Sequence, residues 1–141
     1  MNLTAASVHD IKAMDEIVYE PGSFYVFDRA YLDFERLFII HESKSFFVIR
    51  AKNNLQLKRQ YSAVVDKRTG VRCDQTGELK GFYSNKEYTE KIRRIKFHDE
   101  EQNRNFVFLT NNLHLPAEEI ADLYKHRWKV ELFFKWIKQH L

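Results

Sequence analysis

Apolar positions along the chain follow more than one period, and each period predicts an element. Residues 8–19 (VHDIKAMDEIVY) place Val8, Ile11, Met14, Ile17 and Val18 at helical spacing, and Pro21-Gly22 then breaks the pattern. Phe24 to Phe27 form an unbroken apolar run that ends at Asp28. Such a run marks a strand covered on both faces. Residues 31–42 (YLDFERLFIIHE) return to helical spacing, with Phe34, Leu37, Phe38 and His41 along one side, and Phe46 to Ile49 make a second unbroken strand. Strand, helix and strand in such close succession predict a βαβ unit with two parallel strands.

The texture changes between Lys52 and His114. LQLKRQYSAVV, EYTEKIRRIKF and NFVFLT carry strand signals, separated by the turn-rich stretches DKRTG, DQTGE and HDEEQNR. An antiparallel β insertion over 52–114 is expected. Pro116 then opens a helix running toward Leu141, with Glu118 and Glu119 in its first turn, where the helix dipole favours negative charge. The expected class is α/β: a βαβ part over 1–51, the β insertion over 52–114, and a helix over 115–141.

Composition narrows this picture only a little. Of 141 residues 44% are apolar and 15% aromatic, enough for a packed core and against disorder. A net charge of +3 permits a nucleic-acid partner without requiring one. The single cysteine, Cys73, excludes an internal disulfide and points to a reducing, cytoplasmic setting. No apolar run is long enough to span a membrane, and residues 1–17 lack the basic-then-apolar pattern of a signal peptide.

Candidate chemistry concentrates on the last helix, YKHRWKVELFFKWIKQHL. At about 100° per residue, Tyr124, Arg127, Glu131 and Lys138 fall within a stripe of about 60°. Leu123, Trp128, Val130, Leu132, Phe133, Phe134, Trp136 and Ile137 occupy much of the remaining circumference. A helix apolar on most sides is a buried one, so a narrow polar seam on it must face something polar. A seam of ion pairs, Arg127 with Glu131 and Glu131 with Lys138, satisfies that need. So does a groove that holds phosphates, with Arg, Lys and Tyr as donors around a carboxylate. Asp28 adds a second carboxylate at the carboxyl end of a buried parallel strand, where ligand-binding groups gather in α/β sheets; a turn or helix-capping role is the alternative. Asp28 and Glu131 converging on Mg²⁺ would suit phosphoryl transfer, because Mg²⁺ takes oxygen ligands and leaves positions for phosphate and water.

DRAYLDF at 28–34, together with Tyr124, Arg127, Glu131 and Lys138, resembles bacterial insertion-sequence transposases of the DDE class, in the group marked by a YREK signature. The resemblance covers essentially the whole chain. It implies a partial ribonuclease-H-like catalytic core in which Asp28 is the second catalytic acid and Glu131 the third, both ligands of Mg²⁺ or Mn²⁺. Tyr124, Arg127 and Lys138 would contact phosphates. The implied reaction is nicking of double-stranded DNA at transposon ends followed by strand transfer into a target. The implied assembly is a homodimer or association with a full-length transposase. In such enzymes an aromatic residue of the insertion stabilises a flipped base; Phe82 and Tyr83 are the candidates here, since both tryptophans lie on the last helix.

One departure stands out. The family's first catalytic Asp sits on the first strand of the sheet, whereas Asp10 and Asp15, the aspartates upstream of Asp28, lie in the expected helix and follow no apolar strand. The expectation is a truncated transposase, inactive by itself. A DNA- or transposase-binding regulator and a non-functional remnant are the alternatives. Among other residues, the six histidines show no metal-ligand spacing. Cys73 is expected in a loop. The basic run KIRRIKF at 91–97 is read either as a solvated strand face or as a phosphate-contacting one. Arg29 could pair with Asp28 or touch DNA.

Overall fold

The computed structural model describes residues 18–27, 34–52, 55–81 and 86–126. Strand β1 (Phe24–Phe27) leads to helix α1 (Phe34–Glu42) and strand β2 (Phe46–Ala51). β1 and β2 pair in parallel, with Phe24 opposite Phe46 and Phe27 opposite Ile49, as the βαβ pattern predicts. The helix expected over 8–19 falls mostly outside the described residues; Val18 and Tyr19, at its end, have no regular structure. Tyr19 instead packs edge-on against Tyr25 of β1.

Four further strands follow: β3 (Leu57–Ser62), β4 (Val71–Leu79), β5 (Ile92–Asp99) and β6 (Arg104–Thr110). They pair antiparallel, as the meander predicts, and they continue the sheet that β1 and β2 begin. The order is β1-β2-β6-β5-β4-β3, with β6 joined antiparallel to β2. A last helix, α2, begins at residue 117 and is described through residue 126. The Pro116 carbonyl accepts from the N–H groups of Glu119 and Ile120, so the proline stands at the helix start.

Alternation along the strands shows why the apolar runs are unbroken. Tyr25, Phe27, Phe47, Ile49, Val107 and Leu109 pack with Leu37 and Ile40 of α1. Their neighbours Val26, Val48, Phe106 and Phe108 pack with Ala117, Ile120, Ala121 and Tyr124 of α2. Successive side chains of a strand point to opposite faces, so the two helices cover opposite faces of the sheet. Among the described residues the result is a mixed α/β fold in which α1 and α2 pack on opposite faces of a six-stranded sheet, compatible with a partial ribonuclease-H-like fold.

Three local expectations are corrected. DQTGE carries the composition of a turn, but Asp74 to Leu79 lie inside β4. Asp74 is drawn into the sheet by Arg93, and at Gly77 a β-carbon would stand only 2.1 Å from the Lys58 carbonyl oxygen of β3. The glycine allows close strand approach rather than a chain reversal. Cys73 belongs to β4, beside a register shift, and not to a loop. The basic run at 91–97 is only in part a solvated face. Arg93 is 6% exposed and ion-paired, while Arg94 donates to the Leu55 carbonyl and the Gln75 side chain.

Candidate functional site

The carboxyl end of the β1–β2 pair is where the sequence reading expects the candidate residues. β1 ends at Phe27, which stands opposite Ile49 of β2, and Ile49 stands opposite Leu109 of β6. One residue further along β2, Arg50 stands opposite Phe108. Val26 faces the α2 side of the sheet.

Helix α2 advances toward this same end. Its start is anchored near the amino end of β2. Arg93, whose β6 partner is Thr110, donates to the carbonyl oxygens of Asn112 and Leu115 just ahead of the helix. The Asn112 side chain accepts from the N–H groups of His114 and Leu115, closing the turn into the helix. The neighbouring Asn111 fixes the other side of this junction. It accepts from the Phe47 N–H at 2.8 Å and donates to the Ser45 carbonyl at 2.9 Å.

The helix then crosses to Phe108 and Phe106. The Tyr124 ring centroid lies 4.9 Å from that of Phe108 and 5.7 Å from that of Phe106. Lys125, at the next position, reaches Asp99 at 3.4 Å and lies over the Phe97 ring. Asp99 is 2% exposed, so this ion pair clamps the end of β5 to the helix in a partly dry setting.

Of the residues expected from sequence, only Tyr124 lies among the described residues. Its ring is 1% exposed and belongs to the core, a seat that helical spacing alone did not reveal. Asp28, Arg127, Glu131 and Lys138 lie outside the described residues, as do Asp10, Asp15, Arg29, Phe82, Tyr83, Trp128 and Trp136. Asp28 follows Phe27 directly in sequence. Among the described residues, no group of three or more His, Cys, Asp or Glu side chains could hold a metal ion. No helix among them is long and apolar enough to cross a membrane.

A family described as "Transposase DDE domain" matches residues 1–141. The chain belongs to this transposase family. Among curated relatives, y4zB of Sinorhizobium fredii, named as a transposase, is 37% identical over 145 residues. That alignment covers 100% of this chain and 40% of the relative. The probable transposase for insertion sequence element IS5377 of Geobacillus stearothermophilus is 38% identical over 116 residues, covering 81% of this chain and 30% of that protein. A third, named as a transposase for insertion sequence element IS4SA of Synechocystis, is 28% identical over 144 residues. The chain thus spans well under half the length of these transposases.

Two structural features of this transposase domain could not be seen in the sequence. Arg93 reads as a surface charge, yet its partner Asp74 lies 19 residues away in sequence. Phe106 reads as an ordinary strand residue, yet Arg50 and Arg104 both lie over its ring. The one available signal was the Phe at 106 and 108 in a strand facing a tyrosine-bearing helix.

Proposed function

We propose that this domain is part of the catalytic core of an insertion-sequence transposase that nicks DNA at the element's ends and transfers the strand to a target. One observation supports this reading above others: Val26 and Tyr124 share one buried cluster. The strand that leads into Asp28 and the helix that leads toward Glu131 therefore pack on one face of the sheet. If the strand alternation of β1 holds for one more residue, Asp28 takes the Val26 side. The helical spacing read from the sequence puts Glu131 on the Tyr124 side of its helix, about two turns further on.

In this reading Asp28 and Glu131 offer the carboxylate oxygens that suit Mg²⁺ or Mn²⁺. When bound, the ion would lower the cost of charge on the attacking and leaving oxygens of an in-line displacement. Arg127 and Lys138 hold the DNA phosphates beside them. Tyr124 is buried as a whole residue and seats the helix, so the DNA contact proposed for its hydroxyl requires that hydroxyl to become uncovered. The candidates for stacking a flipped base remain Phe82 and Tyr83. The partner is double-stranded DNA, and synapsis of two ends calls for a second copy or a full-length transposase. The setting is cytoplasmic, on the chromosome. The division into a catalytic core over 1–51 and 115–141 and a β insertion over 52–114 is part of the same proposal, the insertion sharing the core's sheet.

Two carboxylates are fewer than the three this chemistry uses. Residues 1–141 by themselves are therefore expected not to nick DNA. The test places these residues in a full-length transposase and measures Mg²⁺- or Mn²⁺-dependent nicking of terminal-repeat DNA. Asp28→Asn and Glu131→Gln should each abolish it. Equal nicking by the parent and Glu131→Gln would remove Glu131 from the mechanism.

A further inference from the structure

We propose that Arg72 and Lys96, on the face of the sheet turned away from α2, hold the phosphate backbone of a duplex DNA stretch other than the one being cut. The inference rests on the transposase reading and adds to it residues outside the helix signature. Val71, Ile95, Phe97, Phe106 and Phe108 pack in one cluster with α2. Lys96, His98 and Asn105 alternate with them along β5 and β6, so they take the opposite face. On that face the cluster packed with α1 reaches Val107, the β6 partner of Lys96, while Lys96 and Asn105 are exposed. Arg72 joins them through a bulge. Val71 stands opposite Phe97 and Cys73 opposite Lys96, so Arg72 is the extra residue at the register shift. It lines the same cleft as Lys96, His98 and Asn105, of about 560 Å³. The His98 N–H donates to the Gly70 carbonyl at 2.8 Å, which ties the start of β4 to β5.

Charge and position identify the occupant. No carboxylate is among the described lining residues of this cleft. Among the described residues the side chains of Arg72 and Lys96 have no ion pair or hydrogen bond. Cations on an edge strand serve to block stray strand pairing. β5 lies between β4 and β6, so that use is closed to Lys96. His98 Nδ1 donates to Asn105 Oδ1 at 2.6 Å, which fixes the amide and leaves its NH₂ group as a donor beside the two cations. Arg, Lys and side-chain amides are the groups that contact phosphate oxygens in DNA. Both cations are exposed, so a small anion gains little there against water and salt. A polyanion adds the release of its condensed counterions. The sheet separates this face from Val26 and Tyr124, on whose side the reaction is proposed. The stretch held here is therefore distinct from the one at Arg127 and Lys138.

The test is binding of a fluorescent DNA duplex by the 141-residue chain between about 50 and 200 mM salt, where each phosphate contact adds about 0.9 to the steepness of log affinity against log salt. Lys96→Gln should lower the steepness by about 0.9, and Lys96→Gln combined with Arg72→Gln by about 1.8. Lys96→Arg should keep it, and so should Lys44→Gln, on the turn between α1 and β2. Inorganic phosphate at matched ionic strength should not displace the duplex; displacement would mean a single-anion site and overturn the proposal. Tighter binding of polyglutamate than of duplex, lost in the double variant, would assign the face to an acidic protein partner and overturn it equally. Duplex binding by the parent with unchanged steepness in the double variant would overturn it and leave the transposase reading intact. No binding by the parent would also overturn it, and the transposase reading would then stand or fall on the Glu131→Gln nicking assay. If the double variant loses its circular-dichroism spectrum, the steepness of the exposed Lys96→Gln variant alone decides between these outcomes.

Discussion

Arg93 holds Asp74 with two nitrogens, Nε to Oδ1 at 2.8 Å and Nη2 to Oδ2 at 2.7 Å, in a pair that is almost wholly buried. Its remaining nitrogen reaches the carbonyl oxygens of Asn112 and Leu115 ahead of α2. One side chain thus joins β4, β5 and the start of α2. Burying two charges is costly, and removing one partner leaves the other uncompensated. Asp74→Ala is expected to cost about 3–5 kcal/mol in urea denaturation. Combining Asp74→Leu with Arg93→Met should recover much of that loss, because an apolar pair leaves no stranded charge.

Gly77 offers a second stability test. A β-carbon there would stand 2.1 Å from the Lys58 carbonyl oxygen and 2.8 Å from its carbon. Both are backbone atoms, so β3 must move for the methyl to fit. Gly77→Ala should destabilise by about 1–3 kcal/mol, in the range of other overpacked sites. Hydrogen exchange should place the damage at the β3–β4 pairing, with faster exchange in β3 than in β6.

Tyr88 predicts a pH effect. Its side chain is fully buried among Phe38, His41 and Phe47, and its hydroxyl makes no hydrogen bond among the described residues. Burial, with Glu90 adding repulsion, pushes the phenol well above its ordinary range. The fold therefore disfavours the phenolate. The associated stability is complete below the unfolded value of about 10 and is lost as pH rises from there toward the folded value. Tyr88→Phe should flatten that alkaline loss in denaturation curves taken across the window. At neutral pH it should leave stability unchanged or raise it by about 1 kcal/mol, since it removes an unpartnered buried hydroxyl.

Tyr124 separates a core role from a surface one. Tyr124→Ala should cost about 3–5 kcal/mol, because a buried aromatic leaves a cavity against Phe106 and Phe108. Tyr124→Phe should keep most of the stability. Duplex binding by Tyr124→Phe then reports the hydroxyl by itself: weaker binding with normal stability supports a contact to DNA, and unchanged binding makes the residue purely a seat for the helix.

The parts of the fold that are legible in the sequence are those where burial acts on every residue of an element. Phe24–Phe27 and Phe46–Ile49 read as parallel strands because one helix covers Phe27 and Ile49 while the other covers Val26 and Val48. DQTGE misleads because Asp and Gly usually mark turns. Here each is held by a distant group, Asp74 by Arg93 and Gly77 by the Lys58 backbone. The run KIRRIKF is ambiguous for the same reason, since the partners of Arg93 and Arg94 lie 19 or more residues away. For the candidate site, the helix spacing indicates a shared stripe, but not that Tyr124 faces the core or that Phe106 gathers two arginines.

The position of β6 between β2 and β5 governs how the domain must assemble. β2 finds its second neighbour only when residues 107–110 arrive, and the Phe47 N–H finds Asn111 across 64 positions of chain. At typical synthesis rates of about 5–20 residues per second, the early strands wait on the ribosome for roughly 3–13 seconds. During that interval β2 has a bare, apolar edge open to any passing strand. Slow, non-local closure of this kind makes the nascent chain a natural client for chaperones, and it makes yield on expression more sensitive to temperature than the stability of the finished sheet would suggest.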